Sequence, residues 1–269
     1  MRSNIIINSD FQKLNAIITF NPNFDKQPLA IMLHGFASNK HEAGNTYDKL
    51  SESLLKNGIA SLQIDFGGWG ENPINQLNQF SIDSMLRNVE DSIKAMSLYS
   101  KIDRTKMICI GFSLGSSIAL ISQEEYKKFS GLILISPSCN LRHDFTHFLG
   151  DFGSALFKDI EKGILKEHDK VAIPLDWRDY PIIPISFFTS FNNYNIQQIV
   201  NKINVPVFCI AGSEDFSARH ANEMSKNKNV TSRIIQGADH IFHMFTPEKS
   251  SIDQVIAQIL IWSNQLFDI

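Results

Sequence analysis

Cys109-Ile110-Gly111-Phe112-Ser113-Leu114-Gly115 is the stretch that decides how this chain folds. The apolar run Met107 to Ile110 leads into it, and the small-residue stretch Ser116 to Ile121 leads out. That order reads as strand, sharp turn, helix. So tight a turn holds its central residue in a strained backbone conformation and lifts the side chain clear of the sheet. Gly111 and Gly115 are needed because a Cβ at either would strike the neighbouring helix or strand. A serine fixed at that apex, at the start of a helix, is placed as a nucleophile must be. Gly-x-Ser-x-Gly recurs by chance, so the strand before it and the helix after it carry the reading.

Three further segments join it. Ile31-Met32-Leu33-His34-Gly35-Phe36 is an apolar strand ending in His-Gly-aromatic. Val207 to Asp215 is a strand that runs into Gly212-Ser213-Glu214-Asp215, and Ile234 to His240 is one that runs into Gly237-Ala238-Asp239-His240. Ser113, Asp215 and His240 thus fall just past the C-terminal ends of predicted strands, where a parallel sheet collects its chemistry. Their chain order, serine then acid then histidine, is the order used by the α/β-hydrolase fold.

The chain accordingly resembles the α/β-hydrolase-fold serine hydrolases, and among them the esterase, monoacylglycerol lipase and cinnamoyl (feruloyl) esterase branch. The resemblance runs from about Leu29 to Leu266. It rests on Leu33-His34-Gly35-Phe36, Asp65-Phe66-Gly67-Gly68-Trp69-Gly70-Glu71, the Ser113 turn, Lys202-Ile203-Asn204-Val205-Pro206-Val207, and the segments ending at Asp215 and His240. Trp69 stands where such families usually carry histidine, and Glu71-Asn72 replaces a serine segment. Phe112 stands where histidine is commoner, and Ser116 where a second glycine is usual. The resemblance implies an α/β fold with a mostly parallel central sheet, helices on both faces and a cap insertion. It implies a Ser113–His240–Asp215 triad acting through an acyl-enzyme, with no cofactor and no metal. The oxyanion donors would be the backbone N–H of Leu114, next after the nucleophile, and that of Phe36, in the loop after the His34-Gly35 strand.

Neighbouring residues compete for these roles. His243 lies three residues after His240, but His240 directly follows the Gly237-Ala238-Asp239 loop that would present it. Glu214 adjoins Asp215, and the later position is where this fold places its acid. Asp239 reads as a loop cap and His34 as structural. His143 and His147 imitate a metal pair at i, i+4 spacing, yet no carboxylate-bearing zinc motif accompanies them, so they read as cap surface or pocket edge. Asp83, Glu90 and Asp91 read as solvated helix charges.

Composition agrees with one α/β domain. The 269 residues are 43% hydrophobic, enough to bury a parallel sheet under helices on both faces. A net charge of −3 and a pI near 6.2 leave no basic footprint for nucleic acid. Cys109 and Cys209 sit inside apolar strands as reduced core residues, and Cys139 opens a variable segment; this is cytosolic usage rather than a disulfide framework. No signal peptide and no integral membrane segment is visible, so a cytoplasmic location is expected. Oligomeric state is not legible, a homodimer being left open.

Along the chain, Ile5–Ile7 and Leu14–Phe20 read as an opening strand pair around an Asn8-Ser9-Asp10 turn. Leu50, Leu54 and Leu55 mark a helix stopped by Asn57-Gly58, and Ile59–Phe66 the next strand. Ser81 can cap a helix carrying Met85, Val89, Ile93 and Met96. Leu132–Ile135 is another strand, Ile196–Ile203 a helix, and Ile252, Val255, Ile256, Ile259 and Leu266 the stripe of a closing helix. This alternation predicts a hydrolase core of residues 1–137 and 196–269.

Residues 138–195 break the rhythm, being far longer than a connection needs. They hold ten of the chain's 20 Phe, five Tyr and three Trp residues. A cap over the strand ends would need such rings for its own packing and would line the pocket mouth with some of them. Phe187, Phe188 and Phe191, nearest the return to the sheet, are the pocket candidates, so the substrate should carry an apolar or aromatic group. Asp176 to Pro181 resembles a short hairpin or turn.

Hydrolysis of small carboxylic esters leads this reading. A thioesterase, acyltransferase or peptidase would use the same triad. A catalytically silent binding scaffold is the third class, although silent members usually lose a triad residue and this chain keeps all three.

Overall fold

A computed structural model describes residues 1–8, 12–177 and 179–269. The turn expected at Ser9-Asp10, and Arg178 within the expected 176–181 turn, lie outside the described residues. The chain opens with β1 (Arg2–Asn8) and β2 (Lys13–Thr19), paired antiparallel. There follow β3 (Gln27–Leu33), α1 (Thr46–Lys56), β4 (Ala60–Ile64), α2 (Ile82–Ala95), β5 (Ile102–Phe112), α3 (Leu114–Tyr126) and β6 (Gly131–Ile135). After residues 138–195 come α6 (Ile196–Lys202), β9 (Val207–Gly212), α7 (Ser217–Met224), β10 (Val230–Ile235) and α8 (Ile252–Phe267).

One sheet runs in the order β1-β2-β4-β3-β5-β6-β9-β10. β2 meets β4 antiparallel, and every pairing from β4 onward to β10 is parallel. This is the mostly parallel α/β-hydrolase fold that the sequence predicts. Successive side chains of a strand point to opposite faces, and the core divides accordingly. Leu29, Ile31 and Leu33 of β3 pack with α2, α3, α6 and α7, while Ala30 and Met32 pack with α1 and α8. Strands β3, β4, β6 and β9 are buried along nearly their whole length and β5 from Met107 to Phe112, as sheets covered on both faces require, whereas the start of β5 and much of β10 are open.

Local signals act where the sequence put them. Ser81 and Ser84 form a reciprocal capping box at the start of α2. Gly58, at φ 76°, takes the left-handed conformation that lets the chain turn from α1 into β4. Asp83 is more than a solvated charge, because it accepts the Tyr194 hydroxyl and so ties α2 to the end of the 138–195 segment.

That segment contains α4 (Leu141–Glu161), a short antiparallel pair of β7 (Lys170–Ala172) and β8 (Ile182–Pro184), and α5 (Ile185–Thr189). Asn140 caps α4 through the His143 N–H, and Gly150 breaks its course at φ 57°, ψ −132°. Phe145, Phe157, Phe187, Phe188 and Phe191 are buried against the core layer that also holds α2 and α3. Among the described residues no helix is long and apolar enough to cross a membrane.

Candidate active site

The Ser113 turn is strained as its sequence implies. Ser113 sits at φ 52°, ψ −116°, between the last residue of β5 and the first of α3. A Cβ on Gly111 would come within 2.2 Å of the Gly115 carbonyl oxygen, and one on Gly115 within 2.2 Å of the Leu33 oxygen. Helix α3 therefore lies directly on the ends of β5 and β3, and only hydrogen atoms fit between them.

From that apex the Ser113 hydroxyl reaches His240 Nε2 at 3.1 Å, and His240 Nδ1 lies 2.8 Å from Asp215 Oδ2. The carboxylate accepts the Nδ1 proton, which leaves Nε2 as the acceptor facing the serine. The Asp215 side chain is 4% exposed and that of His240 32%. Burial pushes the Asp215 carboxyl upward, but the hydrogen bond and charge of His240, with the hydroxyl of Ser217, outweigh it and hold the group below its ordinary value. The carboxylate is thus ionised and anchored on two sides.

Each strand end is lashed to the next. The Ser113 N–H donates to the Ile135 oxygen of β6 at 2.8 Å, Ser136 N–H to Ile210 of β9 at 2.8 Å, and Ser213 N–H to Ile235 of β10 at 2.9 Å. The Ser136 hydroxyl also donates to the His240 carbonyl at 2.8 Å, with Ser136 itself at φ 48°. Beyond Gly212, the Glu214 N–H donates to the Ala238 oxygen at 2.9 Å and Gly237 N–H to Ser213 Oγ at 2.8 Å, so acid and histidine loops form one unit.

The other candidates have different work. His243, at φ 51°, uses Nε2 on the Gly237 oxygen and Nδ1 on Asp239, and the structure does not bring it to Ser113. Asp239 accepts the N–H groups of Ile241 and His243, which caps the loop. Glu214 is exposed on the rim. His34 is buried, with Nδ1 2.7 Å from the Gly35 oxygen and Nε2 accepting the Phe66 N–H at 3.1 Å. It braces the loops after β3 and β4.

The loop after β3 is held from two directions. Glu42 is buried, and its carboxylate accepts the Gly35 N–H at 2.7 Å and the Ser38 hydroxyl at 2.6 Å. With Gly35 so engaged, Phe36 supplies the next N–H along the loop. As the first residue of α3, Leu114 keeps its N–H outside the helical ladder. The Phe36 ring stacks on Phe187 at 5.8 Å and 14°, and meets Trp69, Phe145 and Phe148 edge-on at 5.5, 5.1 and 6.4 Å. Phe188 and Phe191 pack behind Phe187 at 5.0 and 4.9 Å. Trp69, at the position where related families carry histidine, is spent on this cluster.

Sequence reasoning missed four contributors: Glu42, Ser136, Ser217 and Phe216. Phe216 lies nearly parallel to the His240 ring at 5.6 Å and 21°. Two of the four had a signal, for Ser217 and Phe216 directly follow the acid in sequence. Glu42 and Ser136 act across loops and leave no local pattern.

The sequence model of the family described as serine aminopeptidase, S33, matches residues 25–172, more than half of the chain. The chain belongs to that family of α/β hydrolases. No curated protein sequence matches it. Among solved structures, this hydrolase is similar to Est1E from Butyrivibrio proteoclasticus, at 18% identity, 99% coverage of both chains and a TM-score of 0.75. Est1E has also been solved with ferulic acid bound. The α/β hydrolase GrgF from Penicillium sp. sh18 matches over 100% of each chain at 13% identity and a TM-score of 0.73. An esterase domain from a Rhodothermus marinus protein matches over 98% of each chain at 15% identity and a TM-score of 0.71. At these identities the likeness is one of fold.

Proposed function

We propose that this α/β hydrolase is a serine carboxylester hydrolase working through Ser113, His240 and Asp215. One observation carries the reading: the unbroken line from the Ser113 hydroxyl to His240 at 3.1 Å and on to Asp215 at 2.8 Å. Serine is a weak nucleophile, so His240 Nε2 takes the hydroxyl proton as Oγ attacks the ester carbonyl carbon, a step worth ~10²–10⁴-fold. Asp215 fixes the imidazole tautomer and stabilises the imidazolium. The carbonyl oxygen becomes an oxyanion, received by the N–H groups of Leu114 and Phe36, each worth ~3–4 kcal/mol. The C–O bond to the alcohol then breaks, and the His240 proton passes to the departing oxygen. Water, deprotonated by the same imidazole, hydrolyses the acyl-enzyme and returns Ser113.

Phe36 and its surrounding rings supply an apolar wall on the oxyanion-loop side, which favours an apolar or aromatic acyl group. Ferulic acid bound to Est1E is consistent with that choice. In this reading residues 138–195 act as the cap on a core of 1–137 and 196–269, with Phe187, Phe188 and Phe191 backing the acyl wall.

A fluorophosphonate probe should label the protein at Ser113 and leave Ser113→Ala unlabelled. A panel of p-nitrophenyl esters, acyl-CoAs and peptide amides should give highest kcat/KM on the esters. Faster turnover of amides or thioesters would overturn the ester assignment, and absence of labelling would overturn the enzyme assignment.

A further inference from the structure

The proposed chemistry needs an N–H at Phe36 that faces the oxyanion, and the contacts of the loop after β3 fix its direction. Gly35 lies against the nucleophile, for a Cβ built on it would sit 3.5 Å from Ser113 Cβ. Glycine has the widest choice of φ and ψ of any residue, so the peptide planes on either side of Gly35 must be pinned from outside. The plane that follows is held by its oxygen. His34 Nε2 accepts the Phe66 N–H, so Nδ1 carries the proton and donates to the Gly35 oxygen at 2.7 Å. That peptide is trans, so the Phe36 N–H points away from the oxygen that His34 holds. The plane that precedes Gly35 is held by its N–H, which donates to Glu42 Oε2 at 2.7 Å.

Glu42 does this from a costly position. It sits at φ 57°, ψ 167°, a region that is essentially glycine's and strains any other residue. Its side chain is buried, where an acid is stable only if its oxygens are met by donors. The basic side chains of its loop are committed elsewhere, Lys40 to Asp65 and Glu71 and His41 to Asp48. Besides the Gly35 N–H, Glu42 takes the Ser38 hydroxyl at 2.6 Å and its neighbour's N–H, from Ala43, at 2.9 Å, both on Oε1. The carboxylate thus spans the loop from its return to its start. That return is itself seated on the histidine loop. A Cβ built on Gly44 would come within 3.3 Å of the Met244 side chain, and the Thr46 hydroxyl lies 3.8 Å from the Met244 sulfur.

Resting on the esterase reading above, we infer that Glu42 is the positioning residue of the oxyanion hole. It touches no reacting atom. By fixing the peptide plane that enters Gly35, its carboxylate sets the direction in which the Phe36 N–H meets the oxyanion as it forms. Its effect is therefore felt in the transition state, whereas binding of the intact ester and the contact between Ser113 and His240 do not depend on it.

Two variants separate this role from one in folding. Glu42→Gln keeps the size but turns an NH2 group toward donors. Glu42→Gly removes the side chain while relaxing the backbone, which keeps the loop foldable. On p-nitrophenyl benzoate, Glu42→Gly should lower kcat by about 10–100-fold with KM within about twofold, the pattern of a misplaced transition-state contact. Glu42→Gln, which keeps one acceptor oxygen, should lose less. Benzeneboronic acid reads the same contact without turnover. Ser113 Oγ bonds to boron, His240 takes the hydroxyl proton, and a boron-bound oxygen occupies the oxyanion position. Boronate affinity should fall in step with kcat, while circular dichroism and the urea midpoint show both variants folded. Parent-like kcat and boronate affinity in both variants, a change in KM alone, or failure of both to fold would overturn the inference. If the unmodified protein binds the boronate but turns over amides or thioesters faster than esters, the ester reading falls and the boronate ratio still judges Glu42. No boronate binding by the unmodified protein would overturn both.

Discussion

Replacing Phe187 by alanine distinguishes two uses of the aromatic cluster. The side chain is wholly buried, its ring lies flat on Phe36, and Phe80, Phe145, Phe188 and Phe191 enclose the rest. Removing a buried phenyl group costs ~3–5 kcal/mol through lost transfer energy and the cavity left behind. A domain holds ~5–15 kcal/mol in total, so the variant should fold with a clearly lower urea midpoint. The catalytic effect follows from what the ring supports. Phe36 loses its stacked partner, and its N–H, a proposed oxyanion donor, is free to move. A displacement of ~1 Å costs ~10²-fold, so kcat should fall by ~10–100-fold with KM little changed. The loss should be as large for acetate esters as for bulky aryl esters, because every ester passes through the same oxyanion. Phe187→Leu keeps most of the volume and should lose far less. Steady-state kinetics on an acetate and a benzoate ester, well below the unfolding transition, measure the contrast. If acetate turnover is spared while the benzoate falls, the ring contacts substrate directly and the bracing argument is wrong.

Ser113→Ala should lower kcat by at least ~10³-fold while circular dichroism and the urea midpoint stay near those of the parent; turnover within tenfold of the parent would remove the triad assignment. His240→Gln should abolish ester turnover and His243→Gln should retain most of it, since His243 is engaged within its own loop; the reverse result would exchange their roles. Gly115→Ala places a methyl 2.2 Å from the Leu33 oxygen, so it should lose ~1–3 kcal/mol of stability and most activity, whereas alanine at exposed Gly163, where the glycine φ is 68° but no atom lies within 4 Å of a Cβ, should leave activity intact. The Asp215 carboxyl lies below its ordinary 3.8 in the folded protein. Its contribution to stability is therefore whole above that value and drains as pH falls through the folded one. Asp215→Asn should lose stability near neutral pH yet show a shallower acid decline in urea titrations, and an unchanged acid limb would contradict the shift.

The sheet and the convergence of Ser113, His240 and Asp215 were legible because each rests on local chemistry. Strand-ending apolar runs set β3, β5, β9 and β10, and the two glycines flanking Phe112-Ser113-Leu114 encode an approach that backbone alone can make. The choice of His240 over His243 also followed from position, since a strand end presents the first histidine its loop carries. What stayed hidden depends on contacts between distant segments. Nothing near Glu42 announces that its carboxylate will hold Gly35, because the pairing arises only when the loop folds back. The course of α4 was unreadable for another reason. Its aromatic residues serve the Phe36 cluster, so their spacing follows that surface rather than one clean helical stripe, and Gly150 interrupts it. The aromatic surplus in residues 138–195 was visible, but the ring that organises it, Phe36, lies more than a hundred residues earlier.

The lashings from Ser113 to Ile135, Ser136 to Ile210 and Ser213 to Ile235 have a mechanical consequence. The 138–195 segment departs from β6 immediately after Ser136, a residue clamped to β9 by its N–H and to the histidine loop by its hydroxyl. Displacement of the inserted segment at its β6 end meets that clamp before it reaches Ser113, His240 and Asp215. The distances from Ser113 to His240 to Asp215 are therefore gauged by the pitch of the sheet rather than by where the insertion leaves it. The inserted segment is thus held off the serine, histidine and acid at its β6 end, and meets the proposed chemistry instead through the Phe36 ring that Phe187 backs.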